Sequence, residues 1–168
     1  AGMIGALNRA GIRTRMLTGD VHNVAAYVAD TCGIETLDAG LNPVEKAEVI
    51  KSLKSDGRVV MMVGDGINDA PALTEADTGV SFGYASDIAM ESAGVVIMQD
   101  NLHRIALLVK GSRRCFAIIR QNLFWAFSYN LIALPLAVGG FLHPILSALL
   151  MACSSLVVVG NALRLRKF

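Results

Sequence analysis

Hydrophobic and polar positions follow two different scales along this chain. Up to residue 100, apolar residues come in short runs separated by turns rich in glycine, asparagine and aspartate. Residues 3–10 read as a helix stopped by Gly11. Residues 12–17 read as a short strand leading into Thr18-Gly19-Asp20, and 23–31 as an amphipathic helix ended by Cys32-Gly33. A short strand is expected at 34–37. Asn42-Pro43 then supplies an N-cap and a first helical proline for a helix through Ser55, with Asp56-Gly57 as the stop. Residues 59–63 are an apolar run bounded by glycines, which predicts a strand buried on both faces. A short helix over 69–76, a strand over 79–82, a helix over 86–92 with Ser86 as N-cap, and a second buried strand over 95–98 complete the series. Strands alternating with helices predict an α/β fold with a parallel sheet covered by helices. Ligands of such sheets sit beyond the carboxyl ends of the strands, where Thr18-Gly19-Asp20 and Gly64-Asp65-Gly66 fall.

Beyond residue 100 the pattern lengthens. Residues 101–120 are helix-compatible and basic, with Arg104, Lys110, Arg113, Arg114 and Arg120. From Gln121 to Leu163 no Asp, Glu, Lys or Arg occurs, a run of 43 residues. It holds two apolar stretches, 122–140 and 144–163, each near the roughly 20 residues that cross a bilayer core. Gly139-Gly140 and His143-Pro144 supply the turn between them. Basic residues precede the first stretch and follow the second (Arg164, Arg166, Lys167), with none in the turn, so the positive-inside rule places both outer ends in the cytosol. The expected organisation is an α/β domain over 1–100, a connecting helix over 101–120, and a two-helix transmembrane hairpin with a short cytosolic tail over 121–168. A pair of buried core helices is the competing reading, but a domain this small could not wrap both.

Charge sharpens the division. The formal net charge of +1 over 168 residues conceals a segregation. All 14 acidic residues lie in 1–100 beside seven Lys/Arg, and 101–168 holds eight Lys/Arg with no acid. The basic half flanks apolar runs rather than interleaving with aromatics, which argues against nucleic acid as a partner and for a lipid bilayer. Cys32, Cys115 and Cys153 are too few and too scattered for a disulfide framework. The chain begins with Ala, not Met, and is expected to be a fragment.

The densest chemical signal is the string from Met62 to Leu73, in which Gly64-Asp65-Gly66-Ile67-Asn68-Asp69-Ala70-Pro71 follows a strand. The strand delivers two carboxylates and an amide into one tight turn that glycine permits. Magnesium takes oxygen ligands and keeps several waters, so one or two carboxylates plus a phosphate oxygen suffice to hold it. An isolated Gly-Asp-Gly would be an ordinary solvated turn; the longer string is far more specific.

On these residues the chain resembles the P-type ATPases, cation pumps that form an aspartyl-phosphate. Gly64–Pro71 matches their GDGxNDxP motif, Thr18-Gly19-Asp20 their TGD motif, and Lys46 the lysine of their P-x-x-K segment, in the family's order. The resemblance implies that 1–100 is the carboxy-terminal part of a haloacid-dehalogenase-like phosphorylation domain. It also implies that Asp65 and Asp69 serve Mg²⁺, that Asn68 and Asp69 complete the metal and phosphate site, and that Thr18 and Lys46 contact the phosphoryl group. A fixed ammonium and Mg²⁺ suit the dispersed negative charge of a phosphoryl group in transfer. For Lys46 alone, a solvated helix lysine would be the better reading. Asp20 is as suited to helix capping or a structural role as to direct contact. No Asp-Lys-Thr-Gly-Thr string, the family's phosphorylated motif, occurs here, and the ATP-binding domain that normally precedes the TGD motif has no counterpart. ATP is thus expected to bind mainly to a missing amino-terminal part, and these residues alone are expected to run no pump cycle.

Polar residues also interrupt the apolar stretches: Tyr129-Asn130 near the middle of the first, Met151 and Ser154-Ser155 near the middle of the second. Such groups mark a pathway or a packing contact, and a thioether suits a soft ion. Pro135 removes the helical partner of the Leu131 carbonyl, so a kink or local opening is expected beside Tyr129-Asn130. The Tyr-Asn pair and the Met-x-x-Ser-Ser string resemble those of the Cu⁺-exporting, heavy-metal subgroup. That resemblance makes Tyr129, Asn130, Met151 and Ser155 candidate ligands for transported Cu⁺, with Ag⁺ equally soft. The zinc/cadmium/lead subgroup carries a Lys and an Asp in these helices, and the uncharged run contains neither. The implied location is a membrane, the plasma membrane, with 1–120 and the carboxy terminus cytosolic.

Overall fold

The computed structural model describes residues 2–99, 101–140 and 143–167. It divides into two compact units, Ala1–Ala106 and Leu107–Phe168.

In the first unit, eight elements follow the expected alternation up to α4. They are α1 (Gly2–Arg9), β1 (Arg15–Leu17), α2 (His22–Cys32), β2 (Thr36–Asp38), α3 (Pro43–Ser55), β3 (Met61–Val63), a 3-10 turn (Ile67–Asp69) and α4 (Ala70–Glu75). Then come β4 (Thr78–Phe82), α5 (Asp87–Ser92) and β5 (Val95–Ile97). Local chemistry sets the boundaries. Asn42 caps α3 by accepting from the Val44 and Glu45 amides at 3.0 Å, while Glu45 accepts from the Asn42 amide at 2.8 Å, a complete capping box. Gly33 ends α2 at φ 76° in the left-handed region that glycine enters freely. Ser86 caps α5 through the Ala89 amide at 3.3 Å.

The strands are parallel throughout but form two sheets, not one. β1 pairs with β2, and β4 lies between β3 and β5. The two sheets share one core, where Leu17 of β1 packs on a cluster containing Ile50, Met62, Ala72, Leu73 and Ala89. Only β4 is buried through its length after Thr78. The strands expected to be buried on both faces are not. Met62 points inward at 8% exposure while Met61 is 39% exposed, and Val96 of β5 is also exposed. β3 and β5 are edge strands, so only the central strand is shielded from all sides. Val59 and Met98 fall outside the strands and are open to solvent.

The second unit contains most of α6 (His103–Val138), α7 (Pro144–Ala162) and a final 3-10 turn (Leu163–Lys167). The connecting helix and the first apolar stretch are one continuous 36-residue helix, because no breaker stands between Arg120 and Asn122. Pro135 lies inside α6, which continues past it to Val138. The expected division at residue 100 lies outside the described residues. Among the described residues one stretch, Ser147–Arg166, is long and apolar enough to cross a membrane. The apolar part of α6 falls short of that measure because Asn122, Trp125, Ser128, Tyr129, Asn130 and Pro135 dilute it.

Candidate functional site

The two loops singled out from sequence do follow strand ends. Thr18-Gly19-Asp20 begins where β1 stops, and Gly64-Asp65-Gly66 where β3 stops. The Thr18 loop is fixed to the turn before α3. The Thr18 amide donates to the Asp38 carbonyl at 3.0 Å, the Leu41 amide to the Thr18 carbonyl at 3.0 Å, and the Gly40 amide to the Asp20 carbonyl at 2.9 Å. A Cβ on Gly19 would stand 3.3 Å from the Leu41 carbonyl oxygen, so the close approach of these two segments favours glycine. Asn42 follows directly and caps α3, whose first turn carries Lys46. The Thr18 loop and Lys46 are therefore positioned by one continuous set of backbone bonds.

Lys46 reaches the other loop. Its Nζ lies 2.8 Å from Asp69 Oδ1, with side-chain exposures of 12% and 15%. Asp69 is held in turn by its amide donating to the Gly66 carbonyl at 3.0 Å. Its side chain occupies the space that a Cβ on residue 64 would need, since that atom would lie 2.6 Å from Asp69 Cβ. Gly64 is thus required by packing against Asp69. The Ser86 amide donates to the Asp65 carbonyl at 3.2 Å, anchoring the loop to the cap of α5.

The individual roles separate. Thr18 Oγ1 donates to Asp20 Oδ2 at 3.0 Å and accepts from the Asp20 amide at 3.1 Å. Asp20 therefore holds the Thr18 hydroxyl; Val21, not Asp20, occupies the N-cap position of α2. Asp65 and Asn68 are exposed, and neither side chain makes a hydrogen bond or ion pair among the described residues. A perturbed group nearby is Arg15, which pairs with Asp38 across β1 and β2. The hydrogen bond to Asp38, aided by its charge and opposed by burial, holds the guanidinium pKa above its usual value. That pair staples β1, which ends at Leu17 just before the Thr18 loop.

No group of three or more His, Cys, Asp or Glu side chains converges among the described residues. Magnesium needs no such group, because waters and substrate oxygens fill most of its shell. The open carboxylate of Asp65, beside an Asp69 whose first oxygen is engaged by Lys46, fits that donor set.

In the second unit the candidate ligands do not converge. Tyr129 Oη donates to the Ser147 carbonyl at 3.4 Å, joining α6 to α7. The Asn130 amide donates to the Ala126 carbonyl of its own helix at 2.9 Å, and Ser155 Oγ to the Met151 carbonyl at 3.1 Å. Met151 is 66% exposed, and Asn130 and Ser155 are exposed too. Among the described side chains the partly covered positions on α7 are Ser147, Ser154, Val158 and Asn161, and on α6 they include Asn122, Ala126, Tyr129 and Ala133. Those spacings of three, four and seven mark the facing seam of two helices. Met151 shares the seam's spacing, four after Ser147 and three before Ser154, yet is exposed, as is Ser155. Sequence reasoning missed a polar layer at the seam's end: Asn161 Nδ2 donates to Gln121 Oε1 at 3.2 Å and to Asn122 Oδ1 at 2.9 Å. Amides at both ends of the uncharged run were its only signal.

Parallel strands covered by helices, with an aspartate-rich loop tied through Lys46 to the helix behind the threonine loop, define a fold of the haloacid-dehalogenase type. Residues 1–77 match the haloacid dehalogenase-like hydrolase family. The chain is 43% identical over 165 residues to a copper-exporting P-type ATPase of Mycobacterium tuberculosis, covering 98% of this chain and 22% of that protein. It is 46% identical over 161 residues to one from Staphylococcus aureus, covering 96% and 20%. A solved zinc-transporting PIB-type ATPase in its E2·Pi state superimposes with a TM-score of 0.92 at 34% identity, over 98% of this chain and 27% of that one. The chain belongs to the P-type ATPases. It spans about a fifth of the length of the curated relatives it matches.

Proposed function

We propose that these residues are the carboxy-terminal part of an ATP-driven Cu⁺ exporter, contributing half of its phosphoryl site and its last two membrane helices. The Lys46–Asp69 pair carries this reading: a nearly covered ammonium is fixed to the loop that follows β3, the loop that also bears the exposed Asp65. In the intact pump, Lys46 offsets phosphoryl charge, Thr18 contacts the phosphoryl group once its single hydroxyl proton turns away from Asp20, and Asn68 lines the same loop. Asp65, with the second oxygen of Asp69, would hold Mg²⁺, which supplies further neutralisation of phosphate charge. ATP and the phosphorylated aspartate come from the remainder of the pump. The unpaired edges of β1 and β3 on separate sheets support a further parallel strand entering between them. These residues alone carry no nucleophile and form no aspartyl-phosphate.

Cu⁺ is the transported substrate on this reading, with Ag⁺ its chemical equivalent. Tyr129, Asn130, Met151 and Ser155 present soft or neutral donors, and no charged residue lies between Gln121 and Leu163 to hold a hard divalent ion. The exposed faces of Met151 and Asn130 await a further helix carrying the remaining ligands. Both apolar stretches span the plasma membrane, with the first unit and the carboxy terminus cytosolic, and α6 links phosphate chemistry to the membrane. The names of the copper-exporting relatives favour Cu⁺ over the zinc named for the structural neighbour.

The test is a chimera in which this chain replaces the corresponding segment of a copper-exporting relative. Cu⁺ or Ag⁺ should drive acid-stable labelling from γ-labelled ATP, and the chain alone should take up none. Labelling driven by Zn²⁺ and not Cu⁺ would overturn the ion assignment. Labelling of the isolated chain would overturn its catalytic incompleteness.

A further inference from the structure

The phosphoryl reading uses the loops beyond β1 and β3 and leaves the ion pair behind the first of them without a role. Arg15 on β1 grips Asp38 on β2 with two N–H groups: Nε donates to Oδ2, and Nη2 donates to Oδ1 at 2.8 Å. Asp38 also accepts the Thr18 amide on its carbonyl. It is therefore tied to both ends of the segment 15–18, through its side chain at one end and its backbone at the other. The turn that Asp38 opens runs straight into the site. Gly40 and Leu41 donate to the Asp20 and Thr18 carbonyls, and Asn42 caps the helix that carries Lys46.

We infer that Arg15 and Asp38 are positioning residues of the phosphoryl site, which fix the spacing between the Thr18 hydroxyl and the Lys46 ammonium. The role rests on the assignment of Thr18 and Lys46 to one phosphoryl group. Those two residues come from different elements, so the segments joining them must set their separation. β1 and β2 pair over three residues each and, among the described residues, form a sheet of two strands. A ribbon that short is marginal by itself. A bidentate guanidinium–carboxylate pair adds directional geometry as well as attraction, and it locks the ribbon at the residue that starts the turn to α3. Its side chains are 34% and 25% exposed, so it is partly shielded from water. Misplacement of a contacting group by about 1 Å costs on the order of 100-fold in rate. Neither Arg15 nor Asp38 touches the phosphate on this reading, because each is engaged by the other.

Removing either partner breaks the same bonds but changes the local charge in opposite directions, which separates positioning from a general field. In the chimeric pump, orthovanadate, a phosphate analogue, reports the site by inhibiting metal-driven labelling. Arg15→Met and Asp38→Ala should each raise its half-inhibiting concentration roughly tenfold. A field effect would weaken inhibition in Arg15→Met and strengthen it in Asp38→Ala; that outcome overturns the role, as does no change in either variant. Adding Arg15→Met to Thr18→Ala should bring less than about twofold more, whereas adding it to Asn68→Ala should bring the full increase. Equal increments on both backgrounds would mean general damage and no positioning. In the whole chain in detergent micelles, Arg15→Met should speed exchange of the Thr18, Gly40 and Leu41 amides roughly tenfold. The Gly64 and Thr78 amides, bonded across β3 and β4, should be unchanged. Faster exchange everywhere, or nowhere, overturns the positioning whatever the pump does. An unsubstituted chimera that no metal ion labels overturns the phosphoryl reading and the catalytic role of the pair with it, and the exchange result then stands apart as a statement about the loop alone.

Discussion

Lys46 Nζ sits 2.8 Å from Asp69 Oδ1, tying the first turn of α3 to the loop after β3 across 23 residues. With both side chains largely covered, neither charge is well solvated if the other is removed. Lys46→Met and Asp69→Asn should each destabilise the first unit by about 1–3 kcal/mol. Their effects should couple, so that the double variant costs less than the two added together. Urea titration of the whole chain in detergent micelles, followed through exchange of the Leu73 and Val80 amides, measures the cycle. Additive losses would mean that the ion pair contributes nothing of its own.

The glycines of the same loop differ in what they permit. A Cβ at residue 64 would meet Asp69 Cβ at 2.6 Å, whereas at residue 66 the nearest atom would be 3.9 Å away. Gly66 also has φ −107°, which any residue adopts. Gly64→Ala should therefore cost about 1–3 kcal/mol through displacement of Asp69. Gly66→Ala should stay within about 0.5 kcal/mol. The same urea titration ranks the two, and the reverse order would sink this account of the loop.

Local chemistry was legible in the sequence wherever it is short-range. The Asn42 cap, the Gly33 stop and the placement of the Thr18 and Asp65 loops beyond strand ends all follow from residue type and spacing. What covers an apolar run is not local, and there the reading failed. Residues 59–63 look the same whether a strand is central or at an edge, and only pairing decides that Met61 stays exposed. The split into two sheets is likewise a matter of which strands meet. Asp20 shows the limit at the site: capping, structural and direct-contact roles share one composition, and only geometry shows that Val21 holds the N-cap position while Asp20 accepts from Thr18. For Tyr129 and Met151, period gives the helix face but not the partner. Tyr129 reaches Ser147, while Met151, four residues after Ser147 on the same face, stays 66% exposed.

Ser81, in the middle of β4, is fully buried, and its hydroxyl has no hydrogen-bond partner among the described residues. An unmatched buried hydroxyl is a standing cost. Ser81→Ala removes it with little change of volume and should raise stability by about 1 kcal/mol. A loss of stability would show that the hydroxyl has a partner, such as a bound water.

Substitution at Asn161 separates helix pairing in the second unit from the ion binding proposed for it. Its amide donates to Gln121 and Asn122 on α6, and its oxygen accepts from Arg164 at 3.1 Å, so three side chains depend on it. Asn161→Ala should lower the stability of the α6–α7 pair by about 1 kcal/mol, the usual worth of a polar bond between membrane helices. Ser155→Ala loses only a bond to the Met151 carbonyl of the same helix, which such hydroxyls make at little benefit to it. Its stability should be unchanged within about 0.5 kcal/mol. Thermal unfolding of both variants in detergent, read by circular dichroism, supplies the comparison. In the chimeric pump the order should invert, Ser155→Ala impairing Cu⁺-driven phosphorylation more than Asn161→Ala. If Ser155→Ala instead destabilises the pair and spares ion response, Ser155 is packing glue and the Cu⁺ donors must be sought elsewhere.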